Sequence, residues 1–167
     1  AAANNYDSEQ ANAIMLTAMD AATTCLMVVD RNFNITKINR SLQMLFTELE
    51  PKIRTELPHF SAAKVVGSNM DIFHKNPAHQ RKMMDKLTEK TEVNIQVAGI
   101  HLSAIVQPIK MGSTIVGYAV EWADRTVEET VVAELSNVFE GMKLGNFNGR
   151  ITSPAEDRKS TRLNSSH

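Results

Sequence analysis

Hydrophobic positions change their spacing along the chain. Over residues 11–22 the apolar side chains lie three and four positions apart, so they share one stripe of an amphipathic helix. The next two segments, residues 24–30 and 34–39, are rich in β-prone side chains and flank a short turn. They predict an antiparallel hairpin of two short strands.

The middle of the chain returns to helical spacing and then alternates again. After a helical pattern over residues 41–49, prolines and a glycine divide the chain into short helices and turns as far as Pro77. Pro77 fits the first turn of a helix that we expect to extend to about Lys90. Three further strands are predicted, at residues 93–97, 100–109 and 113–122. The order predicts an α+β fold, in which a five-stranded antiparallel sheet has helices inserted between strands 2 and 3.

The C-terminal part is again helical in pattern. Thr126 and Glu129 fit a capping box, in which each side chain satisfies a free backbone donor at a helix start. Apolar residues then recur at spacings of four and three, as in a coiled coil, at Val127, Val131, Leu135, Val138 and Met142. Residues 145–151 interrupt this seam, and residues 152–167 are polar without periodicity.

The composition argues against several classes of function. The chain has 18 basic and 19 acidic residues with a formal net charge of -1, so it lacks the electrostatic signature of nucleic-acid or membrane-surface binding. Cys25 is the single cysteine and lies in an apolar run, which favours a small buried hydrophobe over a reactive thiol. No apolar stretch approaches the ~20 residues that span a bilayer. We therefore expect a soluble cytoplasmic domain without membrane contact.

The sequence lacks the motifs that would indicate an enzyme. We find no glycine-rich phosphate loop, no nucleophile elbow and no acid pair in a recognisable motif. His74 and His79 are five positions apart with Pro77 between them, so they would not share one helix face as metal ligands. His101 is expected at a surface or edge position. We predict a protein that is not an enzyme.

Three motifs resemble the PAS domains of bacterial chemoreceptors. The first is VVDRNFNI at residues 28–35 with INR at residues 38–40, the second is GSNMDIFHKNP at residues 67–77, and the third is EWADRTVE at residues 121–128. The resemblance covers about residues 11–143 and implies the PAS fold, with helices flanking the sheet at both ends. The asparagine at position 39 matches one that commonly caps the first inserted helix of that family.

The resemblance also implies a cofactor. In the haem-binding PAS domains of oxygen-sensing chemoreceptors, a histidine of the second motif binds the iron, and a tryptophan on the last strand stabilises bound dioxygen. His74 and Trp122 match these two residues, so haem b with His74 as the metal ligand and a diatomic gas, O2, as the signal are expected. By strand phase, Trp122 shares one apolar face with Val116. The other residues expected around the cofactor are Phe73, Leu102, Ala104, Val106, Tyr118 and Val120.

Two other interpretations stay open at this point. Trp122 could be a core residue and the second motif only a turn, in a cofactor-free PAS module that relays a signal or dimerises, or another small ligand could occupy the site. A flavin photosensor is disfavoured, because Cys25 lies in the first strand rather than on the inserted helices.

The predicted domain organisation has four parts. They are an N-terminal helix or cap at residues 1–22, a PAS sensory domain at residues 23–126, an output helix at residues 127–151 and a disordered or non-native tail at residues 152–167. Residues 135–151 resemble the start of a HAMP-like helical signalling unit, which implies a downstream receptor signalling domain. The two flanking helices each carry an apolar stripe, and we expect them to form a homodimer.

Overall fold

A computed structural model describes residues 2–74 and 76–144, with the backbone alone for residues 2–5, 79 and 80. The predicted interruption at residues 145–151 and the tail at residues 152–167 lie outside the described residues. The chain separates into two units, the first ending at Asp124 and the second beginning at Arg125. No helix of the described residues is long and apolar enough to cross a membrane.

Four helices and five strands form the described chain. The helices are α1 (Ala2–Ala21), α2 (Arg40–Ile53), α3 (Pro77–Met84) and α4 (Thr126–Lys143). The strands are β1 (Cys25–Asp30), β2 (Ile35–Ile38), β3 (Thr91–Val97), β4 (Ile100–Met111) and β5 (Thr114–Asp124). Two 3₁₀ turns, Ala62–Lys64 and Met70–Phe73, lie between α2 and α3.

The strands form one antiparallel sheet in the order β2-β1-β5-β4-β3. The predicted fold class, with helices inserted between the second and third strands, is confirmed. The register aligns Val93 on β3, Ala104 on β4, Trp122 on β5 and Cys25 on β1 in one row across the sheet. Directly opposed residues share a face, so this row links the β3 edge of the sheet to its centre.

Asn39 joins the first helix to the sheet. It is 1% exposed and caps α2, because its side-chain oxygen accepts a hydrogen bond from Leu42 N at 3.1 Å. The same oxygen accepts from Leu26 N at 2.9 Å, and the amide donates to the carbonyls of Met19 at 2.9 Å and Thr24 at 2.8 Å. One side chain therefore holds α1, β1 and α2 together.

Helix α3 is shorter than predicted. It ends at Met84 and not near Lys90, because backbone hydrogen bonds tighten to three-residue spacing where Lys86 bonds Met83 and Leu87 bonds Met84. The resulting turn leads the chain into β3. Helix α1 is longer than predicted and begins at Ala2.

Two further expectations are wrong. Val116 is 38% exposed, because the register shifts between Ile109 and Lys110 and moves Val116 off the buried face that Trp122 occupies. The capping box at Thr126 is also wrong, since Arg125 is the N-cap residue of α4, its side chain makes no capping hydrogen bond, and the backbone N–H of Glu129 donates to the Arg125 carbonyl at 2.9 Å.

Candidate functional site

His74 directly follows the 3₁₀ turn Met70–Phe73. Asn69 caps this turn by accepting a hydrogen bond from Asp71 N at 3.2 Å, and its side-chain amide donates to Asn34 Oδ1 at 3.0 Å. The backbone N–H of His74 donates to the Asp71 carbonyl at 3.0 Å. The β1–β2 hairpin therefore fixes the start of the turn, and the turn fixes the backbone of His74.

The imidazole of His74 is half-buried and favours its neutral form. Burial lowers the pKa of His74, and this effect is partly opposed by the nearby Met70 carbonyl and the negative charge of Asp71. Nδ1 is buried and makes no hydrogen bond of normal geometry with any described residue. A neutral imidazole with a free nitrogen is a good ligand for a transition metal.

Trp122 has the second buried nitrogen that lacks a partner. The residue is 2% exposed and packs against Phe46 and Phe73, with ring centroids 5.5 and 5.2 Å away. Its indole Nε1 is buried and has no hydrogen-bond partner among the described residues. An indole nitrogen can only donate, and native structures leave few such groups unpaired. Packing against Phe46 and Phe73 explains why the indole ring is buried, but it does not provide a hydrogen-bond acceptor for the indole N–H.

A cavity of about 470 Å³ lies between the helical segments and the β3–β4 side of the sheet. Its volume falls in the range of roughly 300 to 1,000 Å³ that is typical of small-molecule and cofactor sites. Most of its lining is apolar, and it is lined by Met70, His74, Met83, Met84, Lys86, Leu87, residues 91–95, Ala104 and Val106. A second cavity of about 240 Å³ also touches His74, together with Phe73, Leu57 and residues 93–97.

The structure brings some of the predicted site residues together and separates others. His74, Ala104 and Val106 line the larger cavity, and Phe73 lines the smaller one beside His74. The remaining predicted residues are buried but line neither of these two cavities; they are Leu102, Tyr118, Val120 and Trp122. The register nevertheless places Trp122 directly opposite Ala104, on the strand next to the cavity wall.

Tyr118 belongs to a different part of the core. Its ring stacks on Phe33 with centroids 5.1 Å apart, and burial raises the pKa of the Tyr118 hydroxyl. Sequence reasoning missed the wall formed by Met83, Met84 and the β3 residues. The alternation of Val93, Ile95 and Val97 was the available signal for that face of β3.

The other candidate residues are less suited to a metal. His101 is half-buried and pairs with Gln96 on β3, and it lines neither cavity. The side chain of His79 lies outside the described residues. Burial raises the pKa of the Cys25 thiol, in agreement with its interpretation as a small apolar residue. No cluster of three or more His, Cys, Asp or Glu side chains suited to a metal occurs in the part of the chain that the structure describes.

Comparison with known proteins agrees with the predicted family, although no family model matches the sequence. The chain is 34% identical over 141 residues to the methyl-accepting chemotaxis protein McpB of Pseudomonas aeruginosa, a match that covers 84% of this chain and 21% of that protein. The chain thus spans about a fifth of the length of this relative.

The structure is similar to one of the Aer2 receptor of Vibrio cholerae, which is described as a dual PAS-haem oxygen sensor. The two are 32% identical with a TM-score of 0.52, and the match covers 60% of this chain and 93% of the receptor chain. The names of both relatives are those of signalling proteins, which confirms the prediction of a sensor-type domain that is not an enzyme. The chain belongs to the PAS domain family, as a relative of the methyl-accepting chemotaxis protein McpB and of the Aer2 receptor.

Proposed function

We propose that this PAS domain binds haem b through His74 and senses a diatomic gas, O2, on behalf of a chemoreceptor. The observation that carries the proposal is a pair of buried nitrogens, Nδ1 of His74 and Nε1 of Trp122, that make no hydrogen bond of normal geometry with the part of the chain that the structure describes. A buried polar group without a partner is costly, so two such groups near one cavity indicate a ligand that satisfies them. The likeness to a PAS-haem oxygen sensor supports haem as that ligand.

The residues present fit this group. His74 offers a neutral imidazole at the cavity, and the apolar side chains of Met83, Met84 and Val106 suit a large flat hydrophobic molecule. When bound, haem would supply an iron atom that can take a diatomic gas. Trp122 would donate its indole N–H to that gas, and the enclosing rings of Phe46 and Phe73 would hold the indole in position.

We propose that residues 1–22 and 127–151 flank a sensory domain at residues 23–126 and carry its signal to a downstream receptor domain. Helix α1 exposes apolar side chains at Ile14 and Met15, which are 62% and 68% exposed, and α4 exposes Val127 and Phe139 at 67% and 60%. These exposed apolar side chains support homodimerisation through the flanking helices. Light scattering should detect a dimer or a monomer–dimer equilibrium, and a strict monomer at high concentration would reject dimerisation.

Absorption spectroscopy tests the haem proposal. The purified domain, titrated with haemin, should develop a Soret band that shifts on reduction and shifts again on exposure to oxygen. A folded domain that shows no Soret band after titration would reject haem and favour the cofactor-free PAS module. Far-UV circular dichroism of the same sample establishes that the protein is folded.

A further inference from the structure

An ion pair joins the turn that precedes His74 to helix α3. Arg81 Nε donates to both carboxylate oxygens of Asp71, at 3.3 and 3.1 Å, and Arg81 Nη2 also donates to Asp71 Oδ2. The Asp71 side chain is 27% exposed, which makes it the more sheltered partner, since Arg81 is 58% exposed. A forked arginine–carboxylate contact fixes orientation as well as distance, unlike a contact to a single ammonium group.

The two partners belong to the two helical segments that line the larger cavity. The backbone carbonyl of Asp71 accepts the backbone N–H of His74 at 3.0 Å, so the residue whose carboxylate binds Arg81 is also bonded, through its main chain, to the residue that faces the cavity. Arg81 lies on α3, two and three residues before Met83 and Met84, which line the same cavity. The ion pair therefore connects the segment that carries His74 to the helix that carries Met83 and Met84.

Helix α3 is short. It is eight residues long, and the side chain of its N-cap residue Asn76 makes no capping hydrogen bond. Asn69 links the beginning of the Met70–Phe73 turn to the β1–β2 hairpin, and the Asp71–Arg81 pair links the second residue of the same turn to α3. Groups that orient a metal ligand from behind have large effects on metal retention, because they restrict the ligand to the productive orientation.

We propose that Asp71 and Arg81 are positioning residues for His74, and that their ion pair slows the loss of haem from the cavity. This inference rests on the proposed haem function. The pair would act through the backbone of His74 and through helix α3, since neither Asp71 nor Arg81 lines the larger cavity.

The test uses the whole chain, loaded with haem, with Arg81→Gln and Asp71→Asn as the two variants. Arg54→Gln is the matched control, because it removes an ion pair with Glu50, at 3.9 Å and of similar exposure, at the end of α2, a helix that lines neither cavity. We expect haem transfer to a scavenger protein to be about tenfold faster in both variants, the lower end of the effect of groups that support a metal ligand. The control should match the parent.

Two further measurements distinguish positioning from loss of folding. The iron–histidine stretching band in resonance Raman spectra should broaden or shift in Arg81→Gln, and the charge-swapped pair Asp71→Arg with Arg81→Asp should restore it towards the parent. In the haem-free protein, hydrogen exchange at the His74 amide should be faster in Arg81→Gln than in Arg54→Gln.

The outcomes separate the two proposals. If the parent takes up no haem, the proposed function is rejected, and amide exchange at His74 alone decides whether the ion pair positions that residue. If the variants match Arg54→Gln in haem transfer, Raman band and amide exchange, the positioning role of Asp71 and Arg81 is overturned while haem binding stands.

Discussion

Two buried polar regions of this domain differ in how their hydrogen-bonding groups are satisfied. Both the oxygen and the nitrogen of the Asn39 side chain have backbone partners, at 2.8 to 3.1 Å for the four shortest contacts. At the cavity side of the sheet, Nδ1 of His74 and Nε1 of Trp122 are buried and make no hydrogen bond of normal geometry with any described residue.

This difference separates a structural role from a ligand-binding role. A buried polar group that has all its partners holds a unique arrangement of the chain, because any other arrangement would leave it unpaired. A buried group without a partner carries a cost in the ligand-free state, and a ligand can remove that cost. Asn39 therefore belongs to the scaffold, and His74 and Trp122 belong to the proposed sensor site.

Removing the Asn39 side chain, whose polar atoms all have partners, should cause the largest change in the free energy of unfolding. Asn39→Ala leaves the backbone groups of Leu26, Leu42 and Thr24 without their partners, so we expect a loss of about 2 to 4 kcal/mol in the free energy of unfolding. Urea denaturation followed by circular dichroism measures this loss. Asn12→Ala, at an exposed position on α1, is the control and should stay within about 0.5 kcal/mol of the parent. Equal stability of the two variants would contradict a structural role for Asn39.

Removing the indole N–H of Trp122 should affect oxygen binding more than it affects folding. Trp122→Leu keeps an apolar side chain and deletes the N–H, so oxygen should dissociate roughly tenfold to a hundredfold faster, which corresponds to about 1.5 to 3 kcal/mol. Haem content should be preserved, and carbon monoxide should respond less because it carries less negative charge. Stopped-flow mixing gives both rates. An oxygen complex as stable as that of the parent would make Trp122 a core residue only.

The pH dependence of the haem-free domain should show the smallest effect. Burial lowers the pKa of His74 in the folded state, so the unfolded chain binds its proton at higher pH than the folded chain does. The free energy of unfolding should therefore decrease as the pH falls below about 6.5, the ordinary histidine value, towards the folded pKa. Urea denaturation at about pH 8 and about pH 5 compares the parent with His74→Asn. The part of the pH dependence that His74 causes should vanish in the variant; identical pH dependence would contradict the burial of a neutral imidazole.

The features that could be predicted from the sequence are those that depend on short stretches of the chain. Alternation of apolar and polar residues predicted the strands, and the parity of Tyr118, Val120 and Trp122 matches their burial. The cap at Asn39 and the candidate pair of His74 and Trp122 came from short motifs. These features depend on residues that lie close together in the chain.

Features that depend on distant residues could not be predicted in this way. Asn39 bonds to Met19, twenty positions earlier, and this contact requires the final position of α1. Asp71 meets Arg81 only because α3 folds back beside the turn. The exposed position of Val116 depends on a register shift that its neighbours on β4 impose. None of these three features produces a periodic pattern in the amino-acid sequence.

The most direct test of the central claim is haem retention after gel filtration in the parent, His74→Ala and His101→Ala. His101 is half-buried on β4 but lines neither cavity, so it controls for the loss of a histidine. The account predicts that the parent and His101→Ala retain haem in proportion to protein, and that His74→Ala loses most or all of it while staying folded. Unchanged haem content and an unchanged spectrum in His74→Ala would contradict the account and make His79 the next candidate.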